Sequence, residues 1–346
     1  MTRTTAQPQA LPVLVTGGAG YVGSHAAQAL SASGFLPVTY DNLSRGHAML
    51  VRYGPLERGD IRDRGRLIEV IEAYRPVAVM HFAALAEVGE SVTDPALYYD
   101  NNVEGALTLL DAMRACGLTR LVFSSTCATY GMPEKQPIAE DAPQSPINPY
   151  GRTKLMVEQA LKDFAPAYGL SSVSLRYFNA CGAHPSAEIG ELHDPESHLI
   201  PRAIMAALGQ LESLHVFGTD YPTPDGTAIR DYIHVCDLAT AHVAALRYLL
   251  DGGETVALNL GTGKGHSVLE IIESVGRVTG RDLPVRHGAR RPGDPPVLVA
   301  DPGKARRLIG FAAEWTELDR VVESAWRWHR RLASAREDGA VPMSQA

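Results

Sequence analysis

Five short apolar runs, at 13–16, 36–40, 77–82, 121–125 and 172–178, alternate with longer segments whose apolar positions recur at helical spacing, at 64–74, 103–116 and 151–165. A further helix fits Ser24 to about Ser33, with Gly34 as its stop. Strand–helix alternation of this kind predicts an α/β fold, a Rossmann-type doubly wound parallel sheet. Its near-continuous apolar strands require cover on both faces. Ligands in such sheets gather beyond the carboxyl ends of the strands. Those ends carry Gly17, Asp41, the run His81 to Ala84, the run Ser124 to Thr126, and the run Tyr177 to Asn179. After Asn179 the texture changes. Residues 180–200, 217–230 and 286–302 read as loops, 237–250 and 267–278 as helices, and 257–260 as a strand. The expected organisation is a first domain over 11–180, to which some later segments return, and a smaller C-terminal α/β substrate lobe over 181–335. The ends, 1–10 and 336–346, are expected to be flexible.

Composition narrows the function classes. The chain has 346 residues, 45% of them hydrophobic, enough for two lobes with a sizeable core. The net charge of −7 comes from interspersed signs, without the basic stripe of a nucleic-acid binder or a polybasic membrane anchor. No apolar run approaches the ~20 residues that cross a bilayer. The first ten residues lack a secretory apolar core, so a cytoplasmic location is expected. Cys116, Cys127, Cys181 and Cys236 are far apart and read as reduced thiols, with Cys127 alone near the strand ends. Twelve histidines are scattered without H-E-x-x-H or a His/Cys cluster, so no metal is expected.

Two motifs carry chemistry. Gly17, Gly20 and Gly23 form a Gly-x-x-Gly-x-x-Gly turn between the first strand and its helix, with Tyr21 and Val22 inside it. Such glycines let backbone approach a pyrophosphate at a helix N-terminus. Asp41 ends the second strand, where a carboxylate accepts from a ribose hydroxyl and repels a 2′-phosphate. The cofactor expected is NAD, although Arg45 lies close enough in sequence to temper the exclusion of NADP. The second motif is Tyr150 with Lys154, one helical turn apart. A phenol titrates near ~10. A cation one turn away favours the phenolate and makes it a better base.

These residues resemble the extended short-chain dehydrogenase/reductase superfamily and, within it, the UDP-glucose 4-epimerase family, over about residues 11–330. Further matches are Gly59-Asp60-Ile61-Arg62, His81-Phe82-Ala83-Ala84, Val88-Gly89-Glu90-Ser91, Tyr98-Tyr99-Asp100-Asn101-Asn102 and Arg176-Tyr177-Phe178-Asn179. The most specific stretch runs from Phe217 through Asp220, Tyr221 and Asp225 to Thr227, then from Ile229 through Arg230 to Val235.

The resemblance implies that Tyr150 takes the proton from the C4 hydroxyl of a UDP-sugar while hydride passes to tightly held NAD. The 4-keto sugar then turns about its pyrophosphate link and is reduced on its other face. Lys154 would hold the nicotinamide ribose and lower the Tyr150 pKa, and Thr126 would hydrogen-bond the reacting oxygen. On the cofactor side stand the glycine turn with Tyr21 and Val22, then Asp41 and Asn42 at the ribose, and Asp60 and Ile61 at the adenine. Phe82, Ala83 and Ala84 line the pyrophosphate channel, with Asn101, Ser124 and Tyr177 also facing the cofactor. His81 is expected to be structural. On the substrate side stand Phe178, Asn179, His198, Leu199 and Val216. Phe217 is placed near the uracil, Arg230 and Arg291 at the diphosphate, Asp294 at the uridine ribose, and Leu298 beside the sugar 2-substituent. The family also implies a homodimer, with 103–116 and 151–165 pairing with their mates.

Three positions depart from the family pattern: Ala86 replaces a Lys, His198 an Asn, and Leu298 a Tyr or smaller residue. Leu298 suggests partial room for an N-acetyl group. Rival readings are a 4-epimerase of another UDP-sugar (UDP-N-acetylglucosamine or a UDP-pentose), a nucleotide-sugar 4,6-dehydratase, and a non-catalytic NAD sensor. The dehydratase needs Asp-Glu after Thr126, where this chain has Cys127-Ala128. The sensor would have no need of Tyr150 and Lys154.

Overall fold

The computed structural model describes residues 10–291 and 293–337. The flexible ends expected at 1–10 and 336–346 fall almost wholly outside them. In chain order the strands are β1 (Pro12–Thr16), β2 (Leu36–Asp41), β3 (Leu56–Arg58), β4 (Ala78–His81), β5 (Arg120–Thr126), β6 (Ser171–Tyr177), β7 (Asn179–Cys181), β8 (Leu214–Phe217), β9 (Ile229–His234), β10 (Val256–Leu260), β11 (Gly265–Ser267), β12 (Val285–Gly288) and β13 (Val297–Leu298). The helices are α1 (Tyr21–Ala32), α2 (Arg64–Tyr74), α3 (Val88–Thr93), α4 (Pro95–Tyr98), α5 (Gly105–Ala115), α6 (Pro149–Tyr168), α7 (Leu199–Ala207), α8 (Val235–Leu250), α9 (Val268–Thr279), α10 (Gly303–Ile309) and α11 (Leu318–Glu337).

Seven strands form one all-parallel sheet in the order β10-β6-β5-β4-β1-β2-β3. The order reverses between β1 and β4, so their connections leave in opposite directions and open a crevice at their carboxyl ends. The sheet is dry on both faces. One face packs Val13, Val15, Met80, Val122 and Leu175 against α1 and α8. The other packs Leu14, Val79, Leu121 and Phe123 against α2, α5 and α6. Alternate residues of each strand serve the two faces, as a period of two requires. A second, smaller layer centres on β9, which pairs with β7 and β13 in parallel and with β11 antiparallel. It packs with α7, α9 and α11 around Ile200, Ile204, Ile271, Val275 and Val322.

The five expected strands and the helices at 64–74, 151–165, 237–250 and 267–278 all form, with ends shifted by up to three residues. Two differences have clear causes. The first helix begins at Tyr21, not Ser24, because Gly20 itself is the N-cap and the Ser24 amide already donates to the Gly20 carbonyl at 3.0 Å. The helix expected from Val103 is preceded by a π-helical turn, Tyr99–Glu104, which gives way to α5 at Gly105. The segment 286–302, expected to be loop, contributes β13, whose two residues are too few to show a period.

The core also holds a charged pair. Arg176 of β6 and Glu158 of α6 are 3% and 1% exposed and meet at 2.6 Å. Ser125 donates to Glu158 at 2.5 Å, and Arg176 donates to the Tyr130 hydroxyl at 2.8 Å. Removing one member of such a pair leaves its partner charged and dry. Glu158→Ala is expected to cost about 3–5 kcal/mol of stability in denaturant unfolding, since the loss is that of an uncompensated buried charge.

Candidate active site

At the crevice the glycine turn is built by close approach. Gly17 has φ +74°, and a Cβ there would lie 2.4 Å from the Ala83 nitrogen. A Cβ on Gly23 would lie 2.2 Å from the Gly17 carbonyl oxygen. No side chain caps α1, so its first backbone amides remain available to an anion. Phe82 and Ala83 are fixed beside this turn, both donating backbone N–H to the Thr16 carbonyl, at 2.8 and 3.0 Å. Asp41 is buried and accepts from the backbone of Ala19 (3.0 Å) and Leu43 (2.8 Å). Burial raises its pKa while those two donors lower it. Asn42 donates to Asp60 at 3.0 Å, and the Arg62 guanidinium holds the Asp60 carboxyl well below the usual range. Arg45 pairs with Glu90 at 2.5 Å, which occupies the one cation that tempered the preference for NAD. A glycine cradle that any Cβ would fill, open helix amides and a fixed carboxylate together fit a dinucleotide.

The expected cofactor residues are not all presented through their side chains. Ile61 is buried against Gly105, so only its backbone faces outward. Asn101 donates to Asn102 at 2.9 Å. The residue without an assigned role, Asn102, is the better connected. It is 3% exposed and ties both backbone groups of Leu85 and the Thr153 hydroxyl together. It thereby fixes the chain after β4 to α6.

The reactive residues meet at the ends of β5 and β6. Asn148 caps α6 by accepting from the Gly151 amide at 2.8 Å, which starts the helix just before Tyr150. The Thr126 hydroxyl accepts from the Ala128 amide at 3.1 Å and lies near enough to the Tyr150 phenol to favour its ionised form. Ser124 and Tyr177 share a hydrogen bond of 2.5 Å. Lys154 is 3% exposed, donates to the Ser124 carbonyl at 2.8 Å and stands 5.9 Å from the Tyr150 ring centre. The electrostatics differ from the expectation drawn from the spacing. Burial, then Tyr177, pushes the Tyr150 phenol above its ordinary value, with Thr126 opposing. Burial lowers Lys154 to about 7, with the Glu158 carboxylate opposing. Burial therefore sets the direction for both groups. Glu158 lies one turn beyond Lys154, so a Tyr-x-x-x-Lys-x-x-x-Glu stripe was the available signal for this missed residue. His81 is fully buried, shares a 2.7 Å hydrogen bond with Thr16 and is lowered to about 3 by burial, as a structural residue.

Opposite lies a polar cluster from the smaller layer. Arg230 donates to Asp294 at 2.5 Å, and Tyr221 donates to the other Asp294 oxygen at 3.3 Å. Arg291 stacks over Phe217 with 4.4 Å to the ring centre. Leu298 sits opposite Arg230 in the β9–β13 pair and packs towards Phe178 and Tyr130. Asn179 begins β7 beside Tyr232. The structure thus brings Phe217, Arg230, Arg291, Asp294 and Leu298 together. Asp294 is engaged by Arg230 and Tyr221, so it orients the guanidinium as much as it faces a ribose. Val216 stands apart: alternation in β8 turns Phe217 outward and buries Val216 in the core, leaving it only backbone groups. Leu199 opens α7 and packs into the smaller core. His198 caps that helix and binds Glu191. The histidines are less scattered than the sequence suggests, since His193 joins His198 and Glu191 there.

A family model described as the NAD dependent epimerase/dehydratase family matches residues 13–261. The chain belongs to that family. It is 57% identical to the UDP-glucose 4-epimerase of Rhizobium meliloti (strain 1021), over 92% of this chain and 97% of the relative. The crystal structure of UDP-glucose 4-epimerase from Brucella ovis in complex with NAD superposes with a TM-score of 0.90 at 57% identity, covering 92% of this chain and 98% of that one. The UDP-Glc/GlcNAc 4-epimerase from Campylobacter jejuni gives a TM-score of 0.81 at 38% identity, covering 93% and 99%. The cofactor of this family is NAD. Among the described residues, no helix is long and apolar enough to cross a membrane.

Gly23→Ala is expected to abolish retention of NAD, because the added methyl collides with backbone that cannot yield. Nucleotide released on denaturing the purified variant, set against the parent chain, measures this. Equal NAD content would refute the cradle.

Proposed function

We propose that the chain interconverts UDP-glucose and UDP-galactose at C4, and that Tyr150 is the base. The observation carrying this reading is that Tyr150, Thr126 and Lys154 stand beside the dinucleotide cradle and across from the Arg230 and Arg291 cluster. Cys127, the residue after Thr126, and Leu298, which pairs with Arg230, pack against the same apolar cluster. Bound NAD supplies the acceptor for the C4 hydride and returns it. The protein's part is positioning and proton transfer. Thr126 holds the reacting oxygen, and Tyr150 receives its proton. Lys154 lies over the Phe123 ring, 5.0 Å from its centre, and reaches the Ser124 carbonyl, so its ammonium borders the cofactor side of Tyr150. Positive charge arriving with the oxidised nicotinamide favours the phenolate that the dry free site opposes. Two guanidinium groups suit a diphosphate through bidentate pairing. The sugar faces Leu298 and Phe178, which offer contact without fixed hydrogen bonds, as an inverting rotation requires.

The dehydratase reading fails on chemistry: burial pushes the Cys127 thiol up to about 12, and Ala128 has no titrating group. An additional substrate is favoured by Leu298, whose side chain packs partly into the apolar cluster of Tyr130, Ile138, Phe178 and Ala300 and so leaves room beside the sugar for an N-acetyl group. The four cysteines are unpaired, which supports the cytoplasmic assignment. We further infer a homodimer through α5 and α6. Leu107 and Met156 on these helices are 42% and 44% exposed, beside an open groove of about 790 Å³ lined by Arg62, Tyr99, Val103 and Leu107.

Purified protein is expected to convert UDP-galactose to UDP-glucose in a coupled assay without added NAD. Tyr150→Phe should lower kcat by at least about 100-fold while keeping NAD bound. Unchanged turnover in that variant would remove Tyr150 as the base, and no turnover in the parent chain would remove the reaction. UDP-N-acetylglucosamine should also turn over. Good use of UDP-glucose with none of the N-acetyl sugar would refute the role given to Leu298. Sedimentation should give twice the 37.2 kDa chain mass, falling to the monomer on Leu107→Glu.

A further inference from the structure

The loop that leads into α7, ending at the substrate-side candidate His198, gathers four metal-ligating side chains. Glu191, His193, Glu196 and His198 each present one ligand atom, and all four atoms lie within 4.8 Å of one another. The His193 Nδ1 is 3.2 Å from a Glu191 oxygen and 3.7 Å from a Glu196 oxygen. The His198 Nδ1 contacts that same Glu191 oxygen. A tetrahedral ion with bonds of ~2.0–2.2 Å to nitrogen and oxygen sets its ligands roughly 3.4 Å apart. The two His193 spacings bracket that value, while His198 and Glu191 stand closer, as partners sharing a proton that an ion would displace.

Three further features separate this cluster from a solvated patch. The carboxylates are dry, with side chains 3% and 6% exposed for Glu191 and Glu196. Two such charges side by side require two compensating positive charges. The buried Nδ1 of His193 makes no hydrogen bond, although it lies 3.2 Å from a Glu191 oxygen and 3.7 Å from a Glu196 oxygen. The backbone around the cluster is held from both layers. Trp328 of α11 donates to the Glu191 carbonyl at 2.7 Å, and Tyr21 of α1 donates to the Gly182 carbonyl at 2.6 Å. The Tyr21 ring stands edge-on to His193, with 6.2 Å between centres.

We propose that Glu191, His193, Glu196 and His198 bind one divalent cation of the zinc class. Two imidazoles and two carboxylates suit zinc better than calcium or magnesium, which favour all-oxygen shells. Four protein ligands leave no open position, so the ion is structural. It closes the loop between α1 and α11 and fixes the entry to α7. This inference does not depend on the sugar substrate.

The test uses untagged full-length protein, treated with chelator and exchanged into metal-free buffer. Titration with zinc chloride in a calorimeter, with elemental mass spectrometry after desalting, should give one equivalent per chain at micromolar affinity or tighter. The His193→Ala and Glu191→Gln variants should each bind at least tenfold more weakly. Chelator should lower the thermal midpoint of the parent chain and leave both variants unmoved. The wild-type chelator shift decides the matter even if a variant fails to fold. No stoichiometric zinc in the parent chain, zinc uptake unaffected by the variants, or a midpoint indifferent to chelator would each overturn the proposal, leaving an ion-pair cluster held by protons.

Discussion

The pairing of Glu158 with Arg176 is the constraint on which the active side of the molecule depends. It ties α6, which carries Tyr150 and Lys154, to the end of β6, and through Ser125 to the end of β5. Through Arg176 and Tyr130 it reaches Asn259 on β10, where Tyr130 donates at 2.7 Å. Four elements that arrive from distant parts of the chain are thereby held in one register at the carboxyl edge of the sheet. An apolar core could hold them as tightly. It could not at the same time place a carboxylate one turn from Lys154, where it opposes the loss of that side chain's charge.

Burial makes the free site reluctant to ionise. Tyr150 is pushed up and Lys154 is lowered to about 7 by the same desolvation. Thr126 opposes that shift at Tyr150, and Glu158 opposes it at Lys154. The i, i+4 relation of Tyr150 and Lys154 gave the correct neighbours, but sequence spacing carries no information about how much water reaches the pair.

What was legible in the sequence follows the same division. Long periodic elements and the glycine turn were readable because each expresses a local rule: strand period, helix period, or a position where no Cβ fits. The ends of α1 and α5 were not, since Gly20 acts as a cap without a side chain and the π-helical turn before Gly105 leaves no mark in the pattern of apolar positions. Among site residues, those in the β1–α1 turn and on α6 needed only local geometry. That Val216 would turn its side chain inward was not readable, because which face of a two-layer strand turns inward depends on its partner. Asn102 and Glu158 were overlooked because their value lies in what they join, Leu85 to Thr153 and Lys154 to Arg176, and those partners come together only in three dimensions.

The two sides of the cleft divide their labour by charge fixation. On the smaller layer Arg230 is held by Asp294, and Asp294 by Tyr221, so the guanidinium is set before any ligand arrives. Preorganised donors of this type hold a diphosphate without reordering cost. Arg291 gains a similar constraint from the Phe217 ring. Phe178 and Leu298 share an apolar cluster, and in the proposed reading they form the wall that meets the sugar by contact alone. A fixed grip at one end and an unbonded wall at the other is the arrangement a turning sugar ring needs. The proposed reading therefore sets weak discrimination at Leu298 and strong discrimination at the arginines. A methylene in an apolar wall discriminates by about 1–3 kcal/mol, whereas leaving a buried guanidinium unpaired costs more.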